Sequence, residues 1–261
     1  MNLFFSDLEP SIRSYLQKAS TATKEPLYTR SAGRGPVLRL NLLNGGSVIL
    51  KVWFARNLKE RFKSLVCLSN GRREWRMHRM IHRVGLSTPE PLGFYRLTIP
   101  GGEQCEVLAI EDLGSTRVGL LHLKQLISDG LESSVLAFEN CLIEETSSFV
   151  RKGIVDIDHT LNNFVVDNKA RLMRIDFECA LRYPFHLIPR KAYVKMLARF
   201  LTGHIYAVQP DVYRSVCFAE RLYKKLNIQN REKLSISILV NENLLRQEAK
   251  SGFKTSVSLP L

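Results

Sequence analysis

Nowhere in the 261 residues is there a run of roughly 18 uncharged apolar residues, the length a helix needs to cross a bilayer. The amino-terminal stretch Met1 to Arg13 has no basic segment leading into a long apolar run, so a secretory leader is not expected. These two absences predict a protein that works inside the cell. Cysteine is sparse. The five residues Cys67, Cys105, Cys141, Cys179 and Cys217 are odd in number, far apart and without a C-x-x-C pair. That excludes an obvious disulfide framework or zinc site and predicts mostly small buried hydrophobes. No internal repeat, low-complexity tract or full G-x-G-x-x-G is present. Acidic residues are in short supply, 25 against 38 Lys and Arg, leaving a net charge of +13. The imbalance is concentrated: residues 51 to 83 hold ten Lys and Arg against two Glu. A surface of this kind attracts phosphate-rich partners such as nucleic acid, anionic lipid or a phosphorylated glycolipid. A solvated face with surplus lysine and arginine fits the same numbers.

What is present is ordinary for a globular chain: 45% apolar and 24% charged residues, enough for one or two domains with a core. The first 30 residues are polar and in part helical. Val37 to Leu42 alternates, Val48 to Phe54 is apolar apart from Lys51, and Asn44-Gly45-Gly46 lies between, which predicts a hairpin. A helix is predicted over 72 to 84 and a strand over Glu106 to Ile110. After Gly114 the character changes. Helices are predicted over 119 to 129 and 134 to 150, then a strand pair, Asn163 to Val166 and Leu172 to Asp176, around Asp167-Asn168-Lys169. Amphipathic patterns predict helices across about 190 to 250. A strand-rich first third thus precedes a helix-rich remainder, with the change near Glu111 to Gly114.

Four kinds of position carry chemistry. Lys51 is the one charge in a seven-residue apolar run, and a buried strand lysine is costly unless paired. An edge-strand lysine reaching water is the alternative. In the predicted helix, Glu74, Met77, Ile81 and Val84 share one stripe, while Arg72, Arg73, Arg76, Arg79 and Arg83 lie largely elsewhere. Glu74 on an inward face needs a cation, and Lys51 is the candidate; a first-turn Glu favouring the helix N-terminus is the plainer reading. Next, Gly153-Ile154-Val155-Asp156-Ile157-Asp158-His159-Thr160-Leu161-Asn162-Asn163 sets Asp158 and Asn163 in a D-x-x-x-x-N spacing, and Asp176-Phe177 follows 13 residues after Asn163. One hairpin between them would bring Asn163 and Asp176 side by side, as hard oxygen donors for magnesium. Asp158 would then orient, or take the proton from, an attacking hydroxyl. Lastly, Ser31-Ala32-Gly33-Arg34-Gly35 precedes the first strand, where Gly33 and Gly35 would let backbone N–H groups approach phosphate, or would simply form a turn.

In this order, a glycine-rich turn, strand lysine, helix glutamate, D-x-x-x-x-N and Asp-Phe, the chain resembles the protein-kinase-like superfamily. Gly71-Arg72-Arg73-Glu74-Trp75 followed by Gly85-Leu86-Ser87-Thr88-Pro89-Glu90-Pro91-Leu92 narrows the resemblance to the Kdo/WaaP lipopolysaccharide kinase family. The resemblance implies an α+β bilobal fold: a small antiparallel-sheet N-lobe with one helix over 1–110, and a larger, mainly helical C-lobe over 111–261. It implies ATP and Mg2+ as cofactors and transfer of phosphate to a sugar of the lipopolysaccharide inner core. Residue by residue, Lys51 would hold phosphates and Glu74 would hold Lys51. Asp158 would be the catalytic aspartate, and Asn163 and Asp176 would bind metal. Ile110, Glu111 and Leu113 would border adenine through their backbone.

The chain departs from the pattern at two places. Asp156 stands where a histidine is usual and Glu178 where a glycine is usual, and no Ala-Pro-Glu follows. Little room is left for an activation loop, which fits small-molecule and glycolipid kinases better than regulated protein kinases. A protein kinase, a small-alcohol kinase and an inactive, partner-binding pseudokinase remain the alternatives. The expected partners are the anionic glycolipid and the anionic inner-membrane surface on its cytoplasmic face. No nucleic acid is expected, since no nucleic-acid-reading module accompanies the charge.

Overall fold

A computed structural model describes residues 5–19, 35–42, 45–55, 57–98, 104–184 and 187–251. The chain divides into two compact units, Met1–Leu113 and Gly114–Leu261.

In the first unit, α1 (Phe5–Ala19) leads to a four-stranded antiparallel sheet of β1 (Val37–Asn41), β2 (Ser47–Phe54), β3 (Pro91–Thr98) and β4 (Gln104–Glu111), in the order β1-β2-β4-β3. The predicted hairpin forms with Val37 opposite Lys51 and Asn41 opposite Ser47. Gly45, at φ +81°, closes it in the left-handed region open to glycine. Side chains on β2 alternate as a strand requires. Val48, Leu50 and Val52 pack with Leu8, Ile12 and Leu16 of α1, while Trp53, flanked by Ile49, packs with Leu108 and Ile110 on the other side. Each fully buried aliphatic side chain here contributes about 1.5–3 kcal/mol of transfer free energy.

Between β2 and β3 lie α2 (Leu58–Leu65) and α3 (Asn70–Arg83). Asn57 caps α2 by accepting from Glu60 N, and Ser69 caps α3 by accepting from Arg72 N. The Ser69 cap explains why α3 begins two residues before the predicted start. Its buried stripe is Gly71, Glu74, His78 and Ile81. Met77, expected inside, is half-buried, because His78 takes the inward place: His78 Nε2 lies 2.8 Å from Pro89 O and 2.9 Å from Thr88 Oγ1.

The second unit opens with β5 (Thr116–Val118), α4 (Gly119–Ser128) and α5 (Glu132–Arg151). Next come β6 (Ile154–Asp156), a single 3-10 turn (Leu161–Asn163), β7 (Phe164–Asp167), β8 (Leu172–Arg174) and β9 (Ala180–Arg182). It closes with α6 (Arg190–Val208), α7 (Val212–Leu226) and α8 (Asn230–Ser251). Strands β5, β7 and β8 form one small antiparallel sheet, and β6 pairs with β9. The turn of the β7–β8 hairpin is an Asx turn, with Asp167 Oδ1 accepting from Lys169 N and Arg171 N at 2.9 Å each. The core gathers Leu142, Phe164, Leu197, Phe200, Phe218 and Val240 from the helices and β7.

The cysteines differ from expectation. Cys105 is buried, Cys67, Cys179 and Cys217 are half-buried, and Cys141 is exposed. Cys141 falls on the outward stripe of α5 with Ala137 and Glu144, so helical phase outweighs the residue's preference for the interior. Among the described residues, no helix is long and apolar enough to cross a membrane.

Candidate functional site

In the first unit, β2 presents Lys51 on the face opposite α1, and α3 presents Glu74 one turn from its capped start. Lys51 Nζ donates to Glu74 Oε1 at 2.5 Å, with the side chains 8% and 0% exposed. A pair removed this far from water is held only where the geometry is good, since each desolvated ion costs several kcal/mol. The edge-strand reading of Lys51 is thereby replaced: β2 is an interior strand, flanked by β1 and β4. His78, one helical turn along from Glu74, has its pKa lowered to about 3; burial is the main cause, with Lys51 and His82 adding positive charge nearby.

Gly35 is buried, and a Cβ there would lie 2.3 Å from Val52 O. Close packing against β2 therefore already requires glycine at this position. Gly33 lies outside the described residues. Ile110 is buried at the end of β4, Glu111 is exposed and Leu113 is half-buried. The Glu111 backbone is tied to Glu90, with Glu111 N donating to Glu90 O at 2.9 Å and Glu90 N donating to the Glu111 carboxylate at 3.1 Å.

In the second unit, the loop after β6 carries Asp158. Its backbone N–H donates to Asp156 Oδ1 at 2.9 Å, and the amide of Asn163 donates to Asp158 O at 2.7 Å. The loop is thus pinned from both ends. Ile175 N donates to Asn163 O at 2.8 Å, which sets Asn163 beside the residue preceding Asp176. This hydrogen bond, at the root of the β7–β8 hairpin, brings the backbones of Asn163 and the Asp176 segment together. Asp176 itself takes φ +64°, a left-handed conformation that a short polar residue tolerates better than most. Asp176 and Glu178 bring carboxylate oxygens within 4.8 Å of each other. Two carboxylates this close are hard donors of the kind Mg2+ takes. The Asp158 carboxyl is held above its usual range, first by burial, then by the negative charge of Asp156, with Asp176 adding to it. Arg199, 3.9 Å from Asp158 Oδ1, works against that shift.

Two residues here were not read from the sequence. Arg174 is fully buried, pairs with Asp156 Oδ2 at 2.5 Å and also contacts His159 Nδ1. Its guanidinium lies over the rings of Phe149, Phe164 and Phe177. His159 in turn meets Thr146 Oγ1 at 2.9 Å. Asp156, the departure from the expected histidine, is therefore the link between a buried cation and the Asp158 backbone. Arg174 gave no signal because an arginine on a short strand normally reads as exposed. Arg199 gave none because it sits on the outer part of α6, far along the chain.

No protein-family model matches the sequence, and no curated protein sequence matches it significantly. Among solved structures, WaaP in complex with acyl carrier protein is similar at a TM-score of 0.49 and 17% identity, over 90% of this chain and 86% of that one. ROP2 from Toxoplasma gondii, described as a virulence factor with a protein-kinase fold and no enzymatic activity, is similar at 0.46 and 14%, over 93% and 91%. On its own geometry, with a small antiparallel sheet carrying the Lys51–Glu74 pair and a mainly helical unit carrying the Asp158–Asn163 loop and Asp176, the chain has an α+β, protein-kinase-like fold.

Proposed function

We propose that this protein transfers the γ-phosphoryl group of ATP to a sugar hydroxyl of the lipopolysaccharide inner core, on a Kdo or heptose residue. The observation that carries phosphotransfer is the pinned loop of the second unit, in which one hydrogen bond ties Asn163 to the segment of Asp176 and another ties it to Asp158. Lys51, aligned by Glu74, orients the nucleotide's phosphates. The backbone around Ile110, Glu111 and Leu113 borders adenine. Asn163 and Asp176, with Glu178 added from the geometry, hold Mg2+, which when bound offsets charge on the phosphates. Asp158 aligns the acceptor hydroxyl and takes its proton. Nearly all the rate gain then comes from position and electrostatics, with no covalent intermediate on the protein.

The acceptor reading rests on the sequence resemblance and on charge. A glycolipid bearing phosphates and acidic sugars complements a chain of net charge +13, and the same charge supports a position on the cytoplasmic face of the inner membrane. The test uses γ-labelled ATP, Mg2+ and core glycolipid. Label is expected in the glycolipid fraction, and it is lost in Asp158→Ala while nucleotide binding persists. Label in protein bands would replace this reading with a protein kinase. Nucleotide binding with no transfer to glycolipid, protein or small alcohols would replace it with an inactive binding module.

A further inference from the structure

Helix α2 is built inside out. At about 100° per residue, Leu58, Phe62 and Leu65 fall within an arc of roughly 60°. In an ordinary surface helix that stripe faces the core. Here it faces solvent: Leu58 is 82% exposed, Phe62 64% and Leu65 69%, with Leu68 just beyond at 69%. No residue of α2 is buried. The opposite, polar side faces the protein. Ser64 Oγ donates to the buried Glu106 at 2.7 Å, and Glu60, Lys63, Ser64 and the edge of Leu65 help to line a cleft of about 250 Å³ beside the sheet. Arg96 contacts Ser64 O and anchors the end of the helix. Arg61 edges the apolar stripe on one side and Lys59 on the other, with Lys63 farther round, and all three are exposed. Asn57 caps the helix, so its orientation does not come from fraying.

Scattered surface leucines need no explanation, but a capped helix turned apolar side out does. We propose that α2 is an interfacial helix that lays Leu58, Phe62 and Leu65 into the headgroup boundary of an anionic bilayer, with Lys59, Arg61 and Lys63 on its lipid phosphates. Two features select a bilayer over a protein partner. The ridge is convex, and a bilayer accepts a convex apolar ridge without a matching groove. Cations lie on both sides of the stripe, the arrangement by which basic side chains reach headgroups while their helix lies in the interface plane. Exposed Arg73, Arg76, Arg79 and Arg83 on the following helix add to the positive field. The inference deepens the glycolipid reading by giving the enzyme a docking surface on the membrane that holds its acceptor, but it is read out without nucleotide or acceptor.

The experiment is flotation of the full chain, at low salt, with vesicles containing about one-third phosphatidylglycerol or with phosphatidylcholine alone. The chain should float with the anionic vesicles and remain behind with the neutral ones. Joint Leu58→Ser, Phe62→Ser and Leu65→Ser should cut the bound fraction about tenfold with an unchanged melting curve, since none of the three is packed. Joint Lys59→Glu, Arg61→Glu and Lys63→Glu should abolish the preference for anionic lipid. With Phe62→Trp, emission should shift to the blue on binding and be quenched by lipids brominated along the acyl chain. Failure to float, flotation untouched by the serine substitutions, or an indole at 62 that stays unquenched would each overturn the proposal. So would an acidic protein that covers the ridge while vesicles do not. Transfer to a detergent-dispersed acceptor should survive the serine substitutions. Loss of flotation with intact transfer, or the reverse, therefore separates this inference from the phosphotransfer reading.

Discussion

Among the described residues, each unit holds a deeply buried ion pair of 2.5 Å, and the two are built for different ends. Lys51–Glu74 and Arg174–Asp156 both measure 2.5 Å, and every side chain involved is less than a tenth exposed. Arg174 is held through both terminal nitrogens and its ring-stacked face: Asp156, His159 and the faces of Phe149, Phe164 and Phe177 hold its planar fork. Lys51 is a compact ammonium on a flexible stem, with three donors that can be re-aimed. Burial alone does not tell a working cation from a structural one. The geometry of the head group, a planar fork or a compact ammonium, is the difference between these two.

The largest effect expected is on catalysis. Asp158→Ala should lower kcat by roughly a thousandfold or more, about 4 kcal/mol of transition-state stabilisation, with the nucleotide Kd little changed. Isothermal titration beside a transfer assay checks both halves. Next comes Arg174→Met, which strands Asp156 in the core and should cost about 3–5 kcal/mol in denaturant unfolding. Rescue by the double variant Arg174→Met with Asp156→Leu should restore part of that stability but not turnover, because Asp156 also holds the Asp158 backbone.

The matching cycle on Lys51 sharpens the contrast. Lys51→Met alone should destabilise, while Lys51→Met with Glu74→Met should return to within about 1 kcal/mol of the parent, as buried pairs replaced by apolar residues often do. Neither variant should bind Mg-ATP at the parent's affinity. Equal nucleotide affinity in the double variant would remove Lys51 from the site.

The smallest effect is a titration. His78 has a folded pKa of about 3, below its unfolded value, so the native state binds fewer protons between the two. Stability should therefore fall as pH drops from about 6.5 toward 3, and His78→Gln should flatten that slope in urea unfolding. Lys51→Met should raise the His78 pKa, since Lys51 contributes to its depression. An unmoved imidazole resonance would contradict the placement of Lys51. In the transfer assay, the raised Asp158 pKa should set the acid limb of kcat/KM above the usual carboxylate range, because the base must be ionised to act.

Much of this was legible in the sequence. The β1–β2 hairpin followed from alternation and a glycine turn, and Lys51 stood out as a single charge in an apolar run. Asp158, Asn163 and Asp176 followed from spacing alone. Other features depend on contacts that a local pattern does not encode. Strand β3 was missed because Pro91, Gly93 and Arg96 break its alternation, although β4 pairs along it. Strands β6 and β9 are three residues each, too short to show a period. Helix α2 has a clear apolar stripe, but its sequence does not say that the stripe points outward. Glu178 read as a departure until its carboxylate came to lie near that of Asp176.

The backbone at Asp176 has one more consequence. At φ +64°, an L-residue costs roughly 1–2 kcal/mol that glycine would not. The backbone conformation alone would favour glycine at 176, and the proposed metal site gives a reason for a carboxylate there. A screen that selects for heat resistance without selecting for turnover should drift toward Asp176→Gly, and its winners should be well folded and inert.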